Sequence, residues 1–274
     1  MTTAPATPSE LSYMRDKAAI VGVGETEFSW DSGRSEWQLS CEAIKAACDD
    51  AGISPHEIDG LFRQDSEATH ENLIVSGLGL PNVRHWEVIG YGGGGANPTI
   101  GHAAAAIAAG YCTVAVCWRA LRDRTGVRRG QAQGTTGIPG GSRAFQAPFG
   151  SMAAAHGFGM FARRYMHLYG ATSRHFGWMA VTIRYHASRN PRALRRTEIT
   201  IEDHQNSRWI AEPLHLLDFC QENDGGAALI LTSAERAKDL RRGSGPQALV
   251  EASAQASGPR PDGTQYRPDL SEVE

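Results

Sequence analysis

The chain has 274 residues, 41% hydrophobic and 21% charged, with 31 glycines and 13 prolines, a balance that excludes a collagen-like, coiled-coil or wholly disordered protein. A net charge of −3 and a sequence pI near 6.4 argue against a dedicated nucleic-acid binder. The most apolar stretch, Ala103 to Trp118, is too short for a membrane span, and five cysteines without metal-ligand spacing point to a reduced, cytoplasmic protein.

Residues 1–16 read as a disordered arm without the apolar centre of a secretory signal. Ala18 to Val23, ended by Gly24, reads as a buried strand. Over Glu36 to Ala51 the residues Trp37, Cys41, Ile44 and Cys48 share one helical face, and Gly52 and Pro55 close the helix. A strand over Ile58 to Phe62, a short helix over Glu71 to Leu78 and a strand over Val83 to Ile89 follow. A glycine run, Gly92 to Gly95, leads into an alanine-rich helix over Asn97 to Ala109, and Thr113 to Trp118 supplies a fourth strand. This alternation predicts an α/β protein with a mostly parallel sheet and right-handed crossovers. Arg119 to Gly150 then reads as loop. Two amphipathic helices come next, marked by Phe158, Phe161, Tyr165 and Leu168, and by Phe176, Met179, Ile183 and Ala187. A strand over Ala228 to Thr232, a helix capped by Ser233 and a last strand over Ala248 to Ala254 complete the pattern. The main domain is thus 17–256, with 119–215 inserted in it, and 257–274 is a polar tail or linker.

The total charge hides an asymmetry. From Arg119 to His215 there are fifteen arginines, no lysine and five acids, a net of +10, while the remainder carries −13. Those arginines cannot all pair within the segment. A ligand with several phosphates, such as coenzyme A, is their natural partner, because Arg forks onto phosphate oxygens. The segment lacks the aromatic–basic interleaving of an RNA binder. Arg124, Arg128 and Arg129 are its candidate phosphate contacts.

Gly22-Val-Gly24 follows a strand, but Glu27 stands where a dinucleotide-binding turn needs its third glycine, and Glu25 and Glu27 would repel a pyrophosphate. An ordinary strand-ending turn is the better reading. Tyr91, Gly92, Gly93, Gly94 and Asn97 frame the most informative local feature. Glycines before a helix expose amides at its positive end, suited to a thioester oxygen or an oxyanion. Tight packing of a buried helix against a sheet or a second copy explains them equally well. His204-Gln-Asn-Ser-Arg208, beside Trp209, reads as a hydrogen-bond network ordering a loop. Cys41 and Cys48 read as core thiols. No nucleophilic triad can be assigned from spacing.

AIVGVGETEFS (19–29), DDAGISPHEIDGL (49–61), the glycine-led helix and AAIAAGYCTVAVCWRA (105–120) resemble the N-terminal half of thiolases. Asn223-Asp-Gly-Gly-Ala-Ala228 resembles the motif that precedes a thiolase sheet strand. RRYMHLYGATSR (163–174) and ITIEDHQNSRWIAEPLHLLDFCQENDGGAALILTSAERAKDL (199–240) resemble the lipid-transfer-protein or sterol-carrier-protein-x branch, and within it the acyl-CoA aldolases of bacterial steroid side-chain degradation. The likeness covers about 18–256. It implies a layered αβα fold with mostly parallel sheet, a basic loop subdomain that holds coenzyme A, and Cys220 at a position of CoA contact. It implies a coenzyme A thioester as substrate and no bound cofactor.

The resemblance also puts Gly93 where thiolases carry their nucleophilic cysteine, so no acyl-enzyme can form there. It implies retro-aldol cleavage of a steroid-type β-hydroxyacyl-CoA, with a thiolase-type acetyl-CoA acetyltransferase and a non-catalytic acyl-CoA-binding or lipid-transfer subunit as the alternatives. Family members keep their acid and base groups in a second half, beyond Glu274. The implied partners are therefore a thiolase C-terminal half and a small OB-fold, zinc-ribbon acyl-CoA-associated protein; an apolar patch expected on one side of the sheet and on the alanine-rich helix points in addition to a second copy of the chain, paired through its sheet.

Overall fold

In the computed structural model the described residues are 11–90, 95–126, 143–151, 153–240 and 247–255. In chain order the elements are β1 (Ala18–Glu25), α1 (Glu36–Ala51), β2 (Gly60–Gln64), α2 (Glu71–Leu78), β3 (His85–Ile89), α3 (Ala96–Ala108) and β4 (Val114–Arg122). Then come α4 (Arg143–Gln146), α5 (Ala154–Tyr169), α6 (Ser173–Arg189), α7 (Ile201–Asn206), β5 (Trp209–Ala211), β6 (Leu214–His215), β7 (Asp224–Ser233), α8 (Ala234–Leu240) and β8 (Ala248–Leu249). They group into two compact units, one from the described residues within Met1–Arg122 and Asn223–Gln255, the other from those within Asp123–Glu222.

The first unit is built on a six-stranded sheet in the order β3-β2-β4-β7-β1-β8. β2 pairs in parallel with β3 and β4, whereas β7 lies antiparallel between β4 and β1, and β8 antiparallel to β1. β1 to β4 therefore run one way and β7 and β8 the other. The strictly alternating reading misses this reversal, because β4 is followed by a whole inserted unit and not by a crossover helix. One face of the sheet packs on α1, α2 and α8 through Val21, Ile44, Ala47, Leu61, Ile74, Val116, Ile230 and Ala237. The other packs on α3 through Phe62, Ala103, Ala104, Ile107, Ala115, Cys117 and Leu231.

Local signals explain the boundaries. Ser35 caps α1 by accepting the Gln38 N–H, and Gly52 ends it in the left-handed region. The buried face of α1 runs through Leu39, Ala43, Ala47 and Ala51 as well as Ile44 and Cys48; Trp37 and half-buried Cys41 turn toward α2, where the Trp37 indole donates to Leu73 O at 2.8 Å. β2 begins at Gly60 and not at Ile58, because the Asp59 carboxylate accepts the Thr113 and Val114 amides (both 2.8 Å) at the start of β4. Gly22 and Gly24 lie inside β1 and not in a turn. A Cβ on Gly24 would stand 2.1 Å from Ala43 O and 2.3 Å from Ala47 N, so α1 lies directly on the strand's backbone.

Four further expectations are corrected. Residues 11–14 form a short 3-10 turn with Met14 against the α3-side core, and Asp16 N–H donates to Val250 O, so only 1–10 of the arm lie outside the described residues. Arg119–Arg122 continue β4, because they pair with Asp224–Ala227 of β7. β8 is two residues long, since the chain leaves the sheet after Val250 to cross α3, with Ser253 against Gly101 and Gln255 bonded to His102. The second unit begins at Asp123 and ends at Glu222, later at both ends than 119–215. In that unit α5 and α6 form as expected, but Phe158, Tyr165, Met179 and Ile183 on their apolar faces are exposed. The tail 257–274 lies outside the described residues.

Candidate functional site

Open α/β sheets hold ligands at the carboxyl ends of their parallel strands. In the first unit that edge carries the ends of β2, β3 and β4 and the start of α3. Tyr91, Gly92, Gly93 and Gly94 lie outside the described residues; Gly95 and Asn97 are within them. Gly95 is the N-cap of α3, makes no side-chain cap bond, and is followed by a first turn without acids. A Cβ there would lie 3.0 Å from Gly90 O and 3.3 Å from Gln64 Cβ, so glycine fits the close approach of β2 and β3. Asn97 is exposed in the first turn, and Thr99 Oγ1 donates back to Gly95 O at 2.5 Å.

Sequence reasoning passed over the neighbouring loop. Arg63, Gln64, Glu67 and Thr69 are buried although their string looks solvent-facing. Arg63 bonds Glu71 Oε1 (2.6 Å), His70 Nδ1 (3.0 Å) and the carbonyls of Glu67 (3.2 Å) and Gln64 (3.4 Å). Glu67 accepts the amides of Thr69 (2.8 Å) and Ala120 (2.7 Å), tying the loop after β2 to β4. The one available signal was position: a run of polar residues directly after a buried strand, at the ligand-binding edge.

Burial holds the Glu67 carboxyl above its usual range, against the pull of the two amides and Arg119. The folded protein thus binds this proton more tightly than the unfolded chain. The resulting stability is complete below the unfolded value, near pH 4, and is lost as pH rises through the folded value. Glu67→Gln removes the titration. Urea unfolding at a series of pH values should therefore show the wild type losing ground to the variant from about pH 4 upward. A pH-independent offset would show that Glu67 titrates normally.

The second unit carries the arginines. Arg124 is exposed, and Arg128 and Arg129 lie outside the described residues. Arg163 pairs with Glu212 (2.9 Å) and Arg174 with Glu202 (3.7 Å). Arg184 donates to Thr197 O at 3.3 Å, and burial together with neighbouring Arg195 holds its guanidinium below its usual value. Arg195 in turn bonds Gln221, next to the exposed thiol of Cys220.

The run from His204 to Arg208 builds a hydrogen-bond network, but its first half is helix α7 and not loop. His204 is buried, with Nε2 2.7 Å from Asp218 Oδ1, and it accepts Gln205 Nε2 at Nδ1 (2.9 Å). Asp218 Oδ2 also takes the His215 amide (2.6 Å), and the His215 ring donates to Ser207 O (2.6 Å) while stacking on Trp209 at 3.6 Å.

Thiol chemistry is disfavoured at the other cysteines. Burial pushes Cys48 up to about 11 and Cys112 to about 12, and raises Cys41 and Cys117 as well. Among the described residues no cluster of metal-ligating side chains is present, and no helix is long and apolar enough to cross a membrane.

No family model matches the chain. A steroid side-chain-cleaving aldolase of Thermomonospora curvata is 48% identical over 253 residues, covering 90% of this chain and 64% of that protein. The 17-hydroxy-3-oxo-4-pregnene-20-carboxyl-CoA lyase of Mycobacterium tuberculosis is 46% identical over 264 residues, covering 93% and 67%. Among solved structures, the Ltp2-ChsH2(DUF35) aldolase superposes with a TM-score of 0.80 at 46% identity, over 90% of this chain and 63% of that one. The chain thus spans about two thirds of the length of these proteins. With this extent of identity and the shared layered α/β fold, the chain belongs to the thiolase-like family of steroid side-chain-cleaving aldolases.

Proposed function

We propose that this chain is the acyl-CoA-binding, thiolase-like part of an enzyme that cleaves a steroid-type β-hydroxyacyl-CoA by retro-aldol reaction. The observation that carries this reading is the identity of almost half the residues, over nine tenths of the chain, to the aldolase and the lyase. In the reaction a base takes the β-hydroxyl proton, the Cα–Cβ bond breaks, and its electron pair becomes the enolate of the shorter acyl-CoA. The ketone leaves, and Cα then takes up a proton. Acetyl transfer of the thiolase type is disfavoured by Gly93 in the nucleophile's place and by the raised thiols of Cys41, Cys48, Cys112 and Cys117.

The phosphates of coenzyme A are the proposed ligands of the arginine-rich segment, with Arg124, Arg128 and Arg129 first among them and Cys220 a further contact. Its thioester is the proposed ligand of the α3 start, held by Tyr91, Gly92, Gly93, Gly94 and Asn97. The acid and base groups are proposed to come from a thiolase C-terminal half, and the complex to include an OB-fold, zinc-ribbon acyl-CoA-associated protein. The solved aldolase, whose name carries a DUF35 component, supports such a partner. A homodimer through the sheet is supported by edge strand β3, where Trp86 is 59% and Val88 40% exposed.

The test is an assay with a β-hydroxyacyl-CoA bearing a steroid side chain. The chain alone should be inactive, and adding the C-terminal half and the zinc-ribbon protein should release ketone and shorter acyl-CoA. Robust turnover by the isolated chain, or stoichiometric acetylation of a cysteine by acetyl-CoA, would overturn the reading.

A further inference from the structure

We propose that Trp209 is the shelf on which the adenine of coenzyme A stacks; this rests on the acyl-CoA reading above. Trp209 and His215 are direct antiparallel partners on β5 and β6, so their side chains rise from one face of the hairpin. The two rings stack with centroids 3.6 Å apart and planes 30° from parallel. His215 is only 3% exposed, whereas Trp209 is 50% exposed. The imidazole therefore covers one face of the indole, and the open surface is its far face and edge.

What lies beneath the shelf is fixed. The His215 ring is tied to Ser207 O and its amide to Asp218 Oδ2, and the other Asp218 oxygen is held by fully buried His204. α5 comes close to the same strand at Ala211, whose carbonyl oxygen would lie 3.2 Å from a Cβ on Gly159. A buried polar network thus holds still one large ring that the unit leaves open. A flat face already in place suits a planar heteroaromatic ligand, because little freedom remains to be lost when that ligand stacks. Next in the chain, exposed Arg208 makes no side-chain hydrogen bond or ion pair among the described residues, which leaves a guanidinium for a phosphate. A stacking face with a spare cation beside it matches a base joined to phosphates, and the nucleotide end of coenzyme A supplies both.

The test titrates the full chain with etheno-coenzyme A, whose modified adenine fluoresces and is quenched by stacking on an indole. Binding to the wild type should quench the probe. Trp209→Leu should bind it about tenfold more weakly, or ~1.4 kcal/mol, and leave the bound probe bright. Trp209→Phe keeps an aromatic face and should bind within about threefold of the wild type. Thermal unfolding identifies which variants are folded. A probe that stays bright when bound to the wild type overturns the inference, whatever the variants do. So does wild-type affinity in folded Trp209→Leu, or an equal loss in Trp209→Phe and Trp209→Leu, which is the mark of a merely structural role. A wild-type chain that binds neither the probe nor acetyl-CoA overturns the acyl-CoA reading itself.

Discussion

Gly24→Val should leave little or no folded protein. Gly24 pairs with Ala228 inside the sheet, and α1 crosses it so closely that a Cβ would lie 2.1 Å from Ala43 O and 2.3 Å from Ala47 N. Carbon atoms rest against their neighbours at about 3.5–4 Å, so the helix would have to lift by more than 1 Å. Both obstacles are backbone, which cannot swing aside as a side chain does. Lifting α1 opens the apolar layer in which Ala43, Ile44, Ala47 and Cys48 are fully buried. Overpacking alone costs about 1–3 kcal/mol, and the lost contacts add to it, against a total stability of about 5–15 kcal/mol. Thermal unfolding should show a midpoint lower by roughly 10 °C or more, or no cooperative transition. Gly157→Ala is the control: nothing lies within 4 Å of a Cβ there, and it should be neutral or stabilising. A Gly24→Val protein melting with the wild type would mean that α1 does not rest on β1.

Arg63→Met should cost about 3–5 kcal/mol, the usual loss when one partner of a buried ion pair is removed. Its guanidinium is almost wholly buried and serves Glu71, His70 and two backbone carbonyls at once. Methionine keeps the aliphatic stem but leaves the Glu71 carboxylate and both carbonyls short of a donor. The exposed Lys45–Asp49 pair provides the contrast. Lys45→Met should change stability by less than about 0.5 kcal/mol, because water and salt already screen that pair. Urea denaturation of the two variants measures the difference directly. A loss below about 1 kcal/mol for Arg63→Met would mean that the loop after β2 re-forms its bonds without the guanidinium.

The sequence carries the helices of the first unit well and its polar interior poorly. α1 and α2 have the expected limits, because Ser35, Gly52 and Gly79 write their ends into local chemistry. Strand ends are less legible. Whether Ile58 and Asp59 join β2 depends on the Asp59 carboxylate reaching Thr113, a contact between residues far apart in sequence. The direction of β7 is non-local too, since nothing within Asp224–Ser233 says which neighbour it will meet. For the site, Gly95 alone among the described residues of the glycine run shows its reason, the close approach of Gly90 O and Gln64 Cβ. Arg63-Gln-Asp-Ser-Glu67 announces nothing, as buried and solvated polar strings share the same letters. The uncovered aromatic and aliphatic side chains of α5 and α6 are hidden for the opposite reason: periodicity reports that a helix has an apolar face, and not whether anything covers it.

The pairing of β4 with β7 has one last consequence. Arg122 and Asp224 are direct antiparallel partners, so the chain leaves the sheet and returns at neighbouring backbone positions, about 5 Å apart. Two residues can close such a gap in an ordinary hairpin. Here the turn of a hairpin has been replaced by a folded body, Asp123–Glu222. Because loop-closure entropy grows only slowly with length, the register of the nine paired positions from Val114↔Thr232 to Arg122↔Asp224 is indifferent to what fills the turn. Descent with modification can therefore lengthen, shorten or recharge that body without renegotiating the sheet.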